Sequence, residues 1–453
     1  MNAGRLFGTS GIRGVVNDDL TPDFCREVAL AIGTTLPQAS TLCIATDTRI
    51  SRELVKEAVV SGLLATGISV VDLGILPTPA LALLTRELGF AAGIMITASH
   101  NPPEFNGIKL FTAESLGYSQ AQEGEIEKIF FEKQFRQGKR GDLGHGHDMK
   151  KKYLSFVSSK FLQSTFDRGL KIVVDSGNGA ASRFASDIFA QMGLNVIPVN
   201  DEPDGLFPGR NPEPKADTLQ GTVAFLRQHD ADLAICFDGD ADRVVFCDRE
   251  GFLGFNELIA FISRLVIQKT GRKKVATTVE AGTLLDLAVK DLGAEVVRGR
   301  VGDVAVAYLA RDLHAALGVE EVGVYIIPEA GYYPDSIFAS LFLLSELTHV
   351  REIRQFFRAI PRLYFEKAKV SCPNQLKEPV MARAKEKAQT FDPQQVNALD
   401  GLRLEFPDSW MLIRASGTEP LIRVISESSS QTQADELISK GSALIQSLVE
   451  ANR

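Results

Sequence analysis

The run Thr97-Ala98-Ser99-His100-Asn101-Pro102 places a hydroxyl between small and polar residues. Far along the chain, Asp238-Gly239-Asp240-Ala241-Asp242-Arg243 places three carboxylates at alternate positions in a turn. Serine is a poor nucleophile at its free pKa and needs a base or a cation beside it. Carboxylates so close repel one another, so folding them together requires a cation or an arginine. A hydroxyl that carries phosphate, held by a divalent cation on an aspartate cluster, is machinery for moving a phosphoryl group. Taken alone, Ser99 also reads as a turn or helix-cap serine. The aspartates also read as a structural calcium loop, but the EF-hand's central Gly and terminal Glu do not follow. Few protein ligands, with room for a phosphate oxygen, suit Mg²⁺. His100 and Lys109 lie close enough in sequence to share a site with Ser99. Arg243 is placed to hold a phosphate or the neighbouring loop.

Two further runs carry anion chemistry. Arg414-Ala415-Ser416-Gly417-Thr418-Glu419-Pro420, with Arg423 behind it, combines turn N–H groups and hydroxyls with guanidinium forks. A plain polar turn is the alternative, and the two arginines favour a phosphate site. Phe7-Gly8-Thr9-Ser10-Gly11-Ile12-Arg13-Gly14 is glycine-rich but lacks the Walker lysine and the dinucleotide spacing. Its Arg13 reads as an active-site cation or as a structural ion-pair partner.

These residues need a scaffold. Residues 41–45 predict a buried strand, 53–66 a helix, 69–73 a strand, and 91–96 an apolar strand ending at Thr97. Such alternation predicts α/β layers. The Gly-, His- and charge-rich stretch 138–152 predicts an exposed linker. In a second unit, 171–175 is a strand, 176–181 a turn into a helix, and 194–199 and 232–237 are strands. The aspartate loop follows 232–237, at the carboxyl end where ligands of open α/β sheets gather. A third unit from Gly251 has strands at 274–279 and 295–298 around a helix at 282–292. The repeated order predicts three related α/β units. After Phe365 the pattern changes to a strand from Val370, a helix at 379–389, strands at 402–406, 410–414 and 421–427, and a closing helix at 433–450. That is a compact α+β domain. Domains are expected at 1–150, 151–250, 251–365 and 366–453, in line with the three or four that the length suggests.

Composition narrows the function classes. Hydrophobic content of 45% and charged content of 23% are those of an ordinary soluble globular chain. A formal charge of -8 argues against a general nucleic-acid binder, while local Arg and Lys still allow an anionic substrate. Cys25, Cys43, Cys236, Cys247 and Cys372 form no Cys-x-x-Cys pair and read as buried free thiols, which fits a reducing cytoplasm. No apolar stretch follows Arg5 and no long apolar run occurs, so neither a signal peptide nor a membrane span is expected.

Together the four motifs resemble the α-D-phosphohexomutase superfamily, over essentially the whole chain. Asp47-Thr48-Arg49, the connector 201–214 and Val301-Gly302-Asp303 also fit. The pattern looks closest to the archaeal and bacterial phosphoglucosamine or phosphomannose branch. The resemblance implies four domains in a heart shape around a central cleft, the last one mobile. It implies a phosphoserine at Ser99, with Asp238, Asp240, Asp242 and a phosphoserine oxygen binding Mg²⁺. Ser99 would give its phosphate to a hexose phosphate. The bisphosphorylated hexose would turn over and return its other phosphate. Arg13 and Lys109 are the implied acid/base and charge-stabilising groups, with His100 beside the serine. Arg414, Ser416, Gly417, Thr418 and Arg423 would grip the non-transferred phosphate. Arg243, Gly302, Asp303, Glu320 and Gly323 would complete the substrate site. The sugar loop, Gly318-Val319-Glu320-Glu321-Val322-Gly323, carries Val322 where the family has a polar residue. Pro334-Asp335-Ser336 replaces the usual Arg-Asp-Gly, Val279-Glu280-Ala281-Gly282 is unusual, and Gly299 stands where Thr is common. A valine cannot hydrogen-bond a hydroxyl, so these changes bear on the sugar rather than on phosphoryl transfer. Glucosamine phosphate is the leading substrate. Mannose or glucose phosphate mutases and a metal-assisted sugar phosphatase are the alternatives. The enzyme is expected to be a cytoplasmic monomer or homodimer, without nucleic-acid or membrane partners.

Overall fold

The computed structural model describes residues 5–164, 166–167, 169–417 and 419–452. Four sheets follow one another along the chain. In the first, parallel strands Ser69–Ile75, Thr41–Thr46 and Ala92–Ile96 lie side by side, and Phe105–Thr112 returns antiparallel to Ala92–Ile96. Helices Pro22–Thr35 and Arg52–Ala65 cover it, the first started by Thr21, whose side chain accepts from Phe24 N at 3.2 Å. The second sheet repeats the plan. Leu233–Phe237 runs parallel to Lys171–Asp175, and Val244–Asp248 returns antiparallel. The third does so again, with Leu317–Glu320 parallel to Lys274–Thr278 and Val324–Ile326 returning. These central strands are buried along their whole length, which is why they read as apolar runs rather than alternating ones. The fourth sheet, Tyr364–Ser371, Leu421–Ser428, Ser409–Ala415, Leu402–Phe406 and Gln395–Asn397, is antiparallel throughout. Helices Asn374–Glu386 and Gln431–Glu450 pack with it. The three α/β units plus an α+β unit expected from the sequence are therefore present.

One consequence organises the molecule. In each α/β unit a functional loop joins a parallel strand to its antiparallel return: 97–104, 238–243 and 321–323. The repeat that is faint in sequence is plain in topology. A single apolar cluster runs through the first three units, from Cys43 and Met95 through Phe237 to Tyr325 and Ile353. The fourth has its own core, Val370 to Val449, and meets the third through Val279, Trp410, Leu412 and Ile425.

Some expectations need correction. The stretch 138–152 is not a linker: Leu143–His145 pairs with Ser69–Ile75 as an edge strand, and helix Met149–Lys160 begins within the stretch. Its polar composition reflects an exposed edge, where one face and one side meet solvent. The boundary read at 150 thus falls inside that helix, and the one at 365 inside Tyr364–Ser371. That strand begins at Tyr364, so Val370 lies near its end rather than at its start, the exposed Lys367 and Lys369 having hidden the residues before it. Pro379 lies inside helix Asn374–Glu386 rather than at its start, giving up one helical hydrogen bond. The strands Ile12–Val15, Phe105–Thr112 and Val244–Asp248 had no separate sequence signal. All five cysteines are buried and free, and no described helix is long and apolar enough to cross a membrane.

Candidate active site

Ser99 is fully buried and adopts a left-handed backbone, φ 52°. That conformation costs about 1–2 kcal/mol for a non-glycine residue, so its surroundings must impose it. Arg49 does so. Its Nη2 donates to Ser99 O (2.8 Å) and Asn101 O (2.5 Å), and its Nη1 to Pro102 O (2.5 Å) and Phe105 O (2.8 Å). Its Nε donates to Asp47 Oδ2 (3.1 Å), which also accepts from Thr97 Oγ1 (2.6 Å). Thr97 Oγ1 in turn accepts from Ser99 N (2.8 Å). The sequence marked Asp47-Thr48-Arg49 only as a match; the contacts show it framing the serine loop.

The aspartate loop meets the serine loop backbone to backbone. A Cβ on Gly239 would lie 2.4 Å from Ser99 O, so only glycine fits there. Ser99 Oγ donates to Asp238 Oδ2 at 2.6 Å and lies 3.2 Å from His100 Nδ1. Asp240 Oδ2 accepts from Thr78 Oγ1 and Lys109 Nζ, and Asp242 Oδ2 accepts from Lys109 Nζ, all at 2.6 Å. Asp240 Oδ1 and Asp242 Oδ1 are buried without a hydrogen-bond donor. Ligand atoms of the three aspartates lie within 4.8 Å of one another. Two orphaned buried oxygens in a three-carboxylate cradle fit a hard divalent cation.

Charge follows from these contacts. Burial opposes ionisation at every aspartate of the loop. At Asp238 burial, with Asp242 and Asp240, pushes the carboxyl well above its ordinary range. At Asp240, Lys109 and the bonds from Lys109 and Thr78 outweigh burial and hold it below that range. Lys109 is raised despite its burial, because Asp240 and Asp242 face it. That favours the charged ammonium between the two carboxylates. Burial, then Arg243 and Arg13, pushes His100 down to about 2, leaving a neutral ring. Arg13 Nη1 donates to Asn101 Oδ1 at 3.0 Å. Arg243 Nε lies 3.9 Å from Asp242, while its backbone N donates to Asp238 Oδ1 at 3.1 Å.

The third unit supplies a wall of carboxylates. Glu320 Oε1 accepts from Gly302 N at 2.9 Å, which ties the sugar loop to Val301-Gly302-Asp303. Burial, then Asp303, raises Glu320 to about 8. Asp303 Oδ2 lies 3.4 Å from Ser10 Oγ, so the glycine-rich first loop closes against it. Gly323 has φ 85°, and its carbonyl accepts from Val244 N at 2.9 Å. The sugar loop is thereby seated on the strand leaving the aspartates. Val322 is exposed and offers no polar atom. Ser336 Oγ donates to Ala241 O, between Asp240 and Asp242, at 2.5 Å. Asp335 is turned away from the site: it caps helix Ser336–Glu346 and accepts from Tyr153 Oη at 2.7 Å.

In the fourth unit Arg414 and Arg423 are direct cross-strand partners. Arg414 Nη1 lies 3.3 Å from Glu280 Oε1 and its Nε 3.1 Å from Asp400 Oδ2. Arg423 Nη2 donates to Glu419 Oε2 at 2.8 Å. The Nε of each arginine is buried without an aligned acceptor. Ser416 Oγ accepts from Glu419 N at 3.1 Å, and Lys377 Nζ donates to Ser416 O (2.6 Å) and Glu419 O (2.5 Å). A Cβ on Gly417 would come 3.9 Å from Thr9 Cγ2, so this loop reaches the first unit. Thr418 lies outside the described residues. The sequence reading gave no part to Thr78, Lys377, Asp400 or Glu280; each comes from a distant element, and only the unusual run 279–282 hinted at one of them.

Comparisons with known proteins agree with this arrangement. Families described as phosphoglucomutase/phosphomannomutase, alpha/beta/alpha domains I, II and III, match residues 4–137, 151–251 and 255–364, and the C-terminal domain of that series matches 368–440. A protein of Pyrococcus furiosus named "probable phosphoglucosamine mutase" is 39% identical over 99% of both chains. One of Thermococcus kodakarensis named "phosphoglucomutase/phosphomannomutase" is 34% identical over 98% of this chain and 99% of its own. The crystal structure of a phosphoglucomutase/phosphomannomutase family protein from Burkholderia thailandensis superposes with a TM-score of 0.84 at 26% identity, covering 99% of this chain and 98% of that one. Matched end to end, in every unit and in order, the chain belongs to the α-D-phosphohexomutase superfamily.

Proposed function

We propose that this enzyme moves a phosphoryl group between the 1- and 6-positions of a hexose phosphate, with glucosamine phosphate as the sugar. The observation that carries the reaction is the union of Ser99 Oγ, at 2.6 Å from Asp238, with a carboxylate cradle that keeps two oxygens unpaired. Asp238, Asp240, Asp242 and an oxygen of phosphorylated Ser99 would hold Mg²⁺, which when bound neutralises charge on phosphoryl oxygens. Lys109, Arg13 and Arg243 add fixed positive charge around the serine, preorganised for charge on the transferring group. The Ser99 O–P bond breaks as the sugar O–P bond forms, giving a bisphosphorylated sugar, and the return transfer reverses this at the other end. Arg414, Arg423, Ser416, Gly417 and Thr418 would hold the phosphate that is not moving. Burial of Ser99 favours transfer to a bound sugar over loss to water.

Two lines support the amino sugar. The Pyrococcus relative is more similar than the Thermococcus one. The third unit also presents the carboxylates of Glu280 and Asp303, where a cationic substituent would be favoured. The test is an isomerisation assay with Mg²⁺ and a trace of bisphosphorylated sugar, run on glucosamine, mannose and glucose phosphates with free phosphate followed in parallel. Interconversion of the glucosamine phosphates without phosphate release is the expected result. Phosphate release alone would make it a phosphatase, and turnover of mannose or glucose phosphate instead would overturn the sugar.

A further inference from the structure

Arg414 is one cation answered by two carboxylates, Glu280 at 3.3 Å and Asp400 at 3.1 Å. A phosphate brought to this arginine meets a site whose charge is already more than balanced, with the Glu280 carboxylate beside it. Like charges so placed repel. The arrangement is unfavourable for a phosphate alone and favourable for a phosphate that brings a positive group with it. In glucosamine 1-phosphate the ammonium sits on C2, the carbon next to the one bearing the phosphate. Glucose and mannose 1-phosphates carry a hydroxyl there.

Glu280 is held in place for such a task. Its turn follows strand Lys274–Thr278, and its backbone N donates to Thr278 Oγ1 at 3.1 Å. The flanking carbonyls of Val279 and Ala281 both accept from Arg403 Nη1 at 2.7 Å. Gly282 N donates to Glu321 Oε1 at 2.7 Å. The backbone is clamped from both sides of the seam, while the Glu280 side chain has Arg414 as its ion-pair partner and remains partly exposed at 17%. Val322, the sugar loop's departure, cannot read a polar substituent, so another group of this wall must do so.

We propose that Glu280 reads the 2-ammonium group when the 1-phosphate rests on Arg414, and so sets a preference for amino-sugar phosphates over neutral ones. The assignment rests on the phosphohexomutase reading above. It carries an asymmetry. With the 6-phosphate on Arg414, C2 lies across the ring, so Glu280 discriminates in one of the two orientations only.

The test is calorimetric binding of glucosamine 1-phosphate, glucose 1-phosphate and glucosamine 6-phosphate to the full chain and to Glu280→Gln and Glu280→Asp, beside kcat and KM for each sugar. Glu280→Gln keeps the size of the side chain and removes its charge. The expected result is a fall of about tenfold or more in the affinity ratio of glucosamine 1-phosphate to glucose 1-phosphate. It should appear in KM rather than kcat, should be smaller for the 6-phosphate, and should be partly restored in Glu280→Asp. Equal changes for the amino and neutral sugars would overturn the assignment, leaving Glu280 as a brace for Arg414. Binding does not require turnover: a chain that prefers the amino sugar through Glu280 yet isomerises nothing would overturn the mutase reading and leave Glu280 standing.

Discussion

The serine–aspartate junction and the seam between the third and fourth units are both charged, and they are charged in opposite ways. At the junction, Asp240 and Asp242 face Lys109, and Asp240 Oδ1 and Asp242 Oδ1 lack a hydrogen-bond donor. The open valences are acceptors, so the place calls for a cation. At the seam, each arginine is met by carboxylates, yet Arg414 and Arg423 keep a buried Nε without an aligned acceptor. The open valences there are donors, but Glu280 and Asp400 already answer Arg414, so the place suits a phosphate that brings a positive group with it. A phosphosugar that turns around must leave one and meet the other. The difference teaches that two sites proposed for one group, phosphate, need not share their electrostatics: the first would promote bond making, the second would hold.

That contrast can be broken by substitution. Ser99→Ala should have the largest effect, lowering kcat by roughly 10⁵-fold while sugar-phosphate binding by calorimetry survives. Substantial turnover in this variant would remove the serine from the chemistry. Arg414→Ala should act on the other side of the comparison, raising KM by about 100-fold with kcat changed only a few-fold, as the proposed grip on the non-reacting phosphate requires. A selective loss of kcat would make the seam part of the bond-making machinery and erase the distinction. The smallest effect concerns Glu320, raised from 4.5 to about 8 by burial and Asp303. A carboxyl whose folded pKa is raised contributes stability that is fully present below 4.5 and lost as pH rises through about 8. The wild-type melting temperature should therefore fall across that window, and Glu320→Gln should flatten the fall. An unchanged slope would show that the wall tolerates its charge.

The same contrast decides what was legible beforehand. Ser99 and the aspartates announce themselves because their chemistry is contiguous: one hydroxyl run and one turn, each after an apolar strand. The α/β order was readable for the same local reason, since buried parallel strands are short apolar runs. What escaped was non-local. Lys109 was placed beside Ser99 by sequence nearness, but its pairing with Asp240 and Asp242 depends on the antiparallel return strand that carries it to them. Arg49 belongs to a recognisable triplet, but its four carbonyl partners lie some fifty residues away. Glu280 and Asp400 meet Arg414 only because the fourth sheet docks on the third through Val279 and Trp410. The edge strand Leu143–His145 was hidden by its three-residue length among glycine and charged neighbours, and the repeat of the three loops by their unlike sequences.

The missing side chain of Gly239 has a mechanical consequence. It lets the aspartate turn rest on Ser99 O, while Ala180 N donates to Gly239 O and Thr78 N to Asp240 O, each at 2.9 Å. Backbone from two sheets is thus sutured at the point where a phosphoryl group would change hands, and the apolar interior continues through that point. A hinge there would break several backbone hydrogen bonds at once. The fourth sheet, by contrast, brings a core of its own, and amide exchange should be slow at Thr78 and Ala180, whose N–H groups hold the suture.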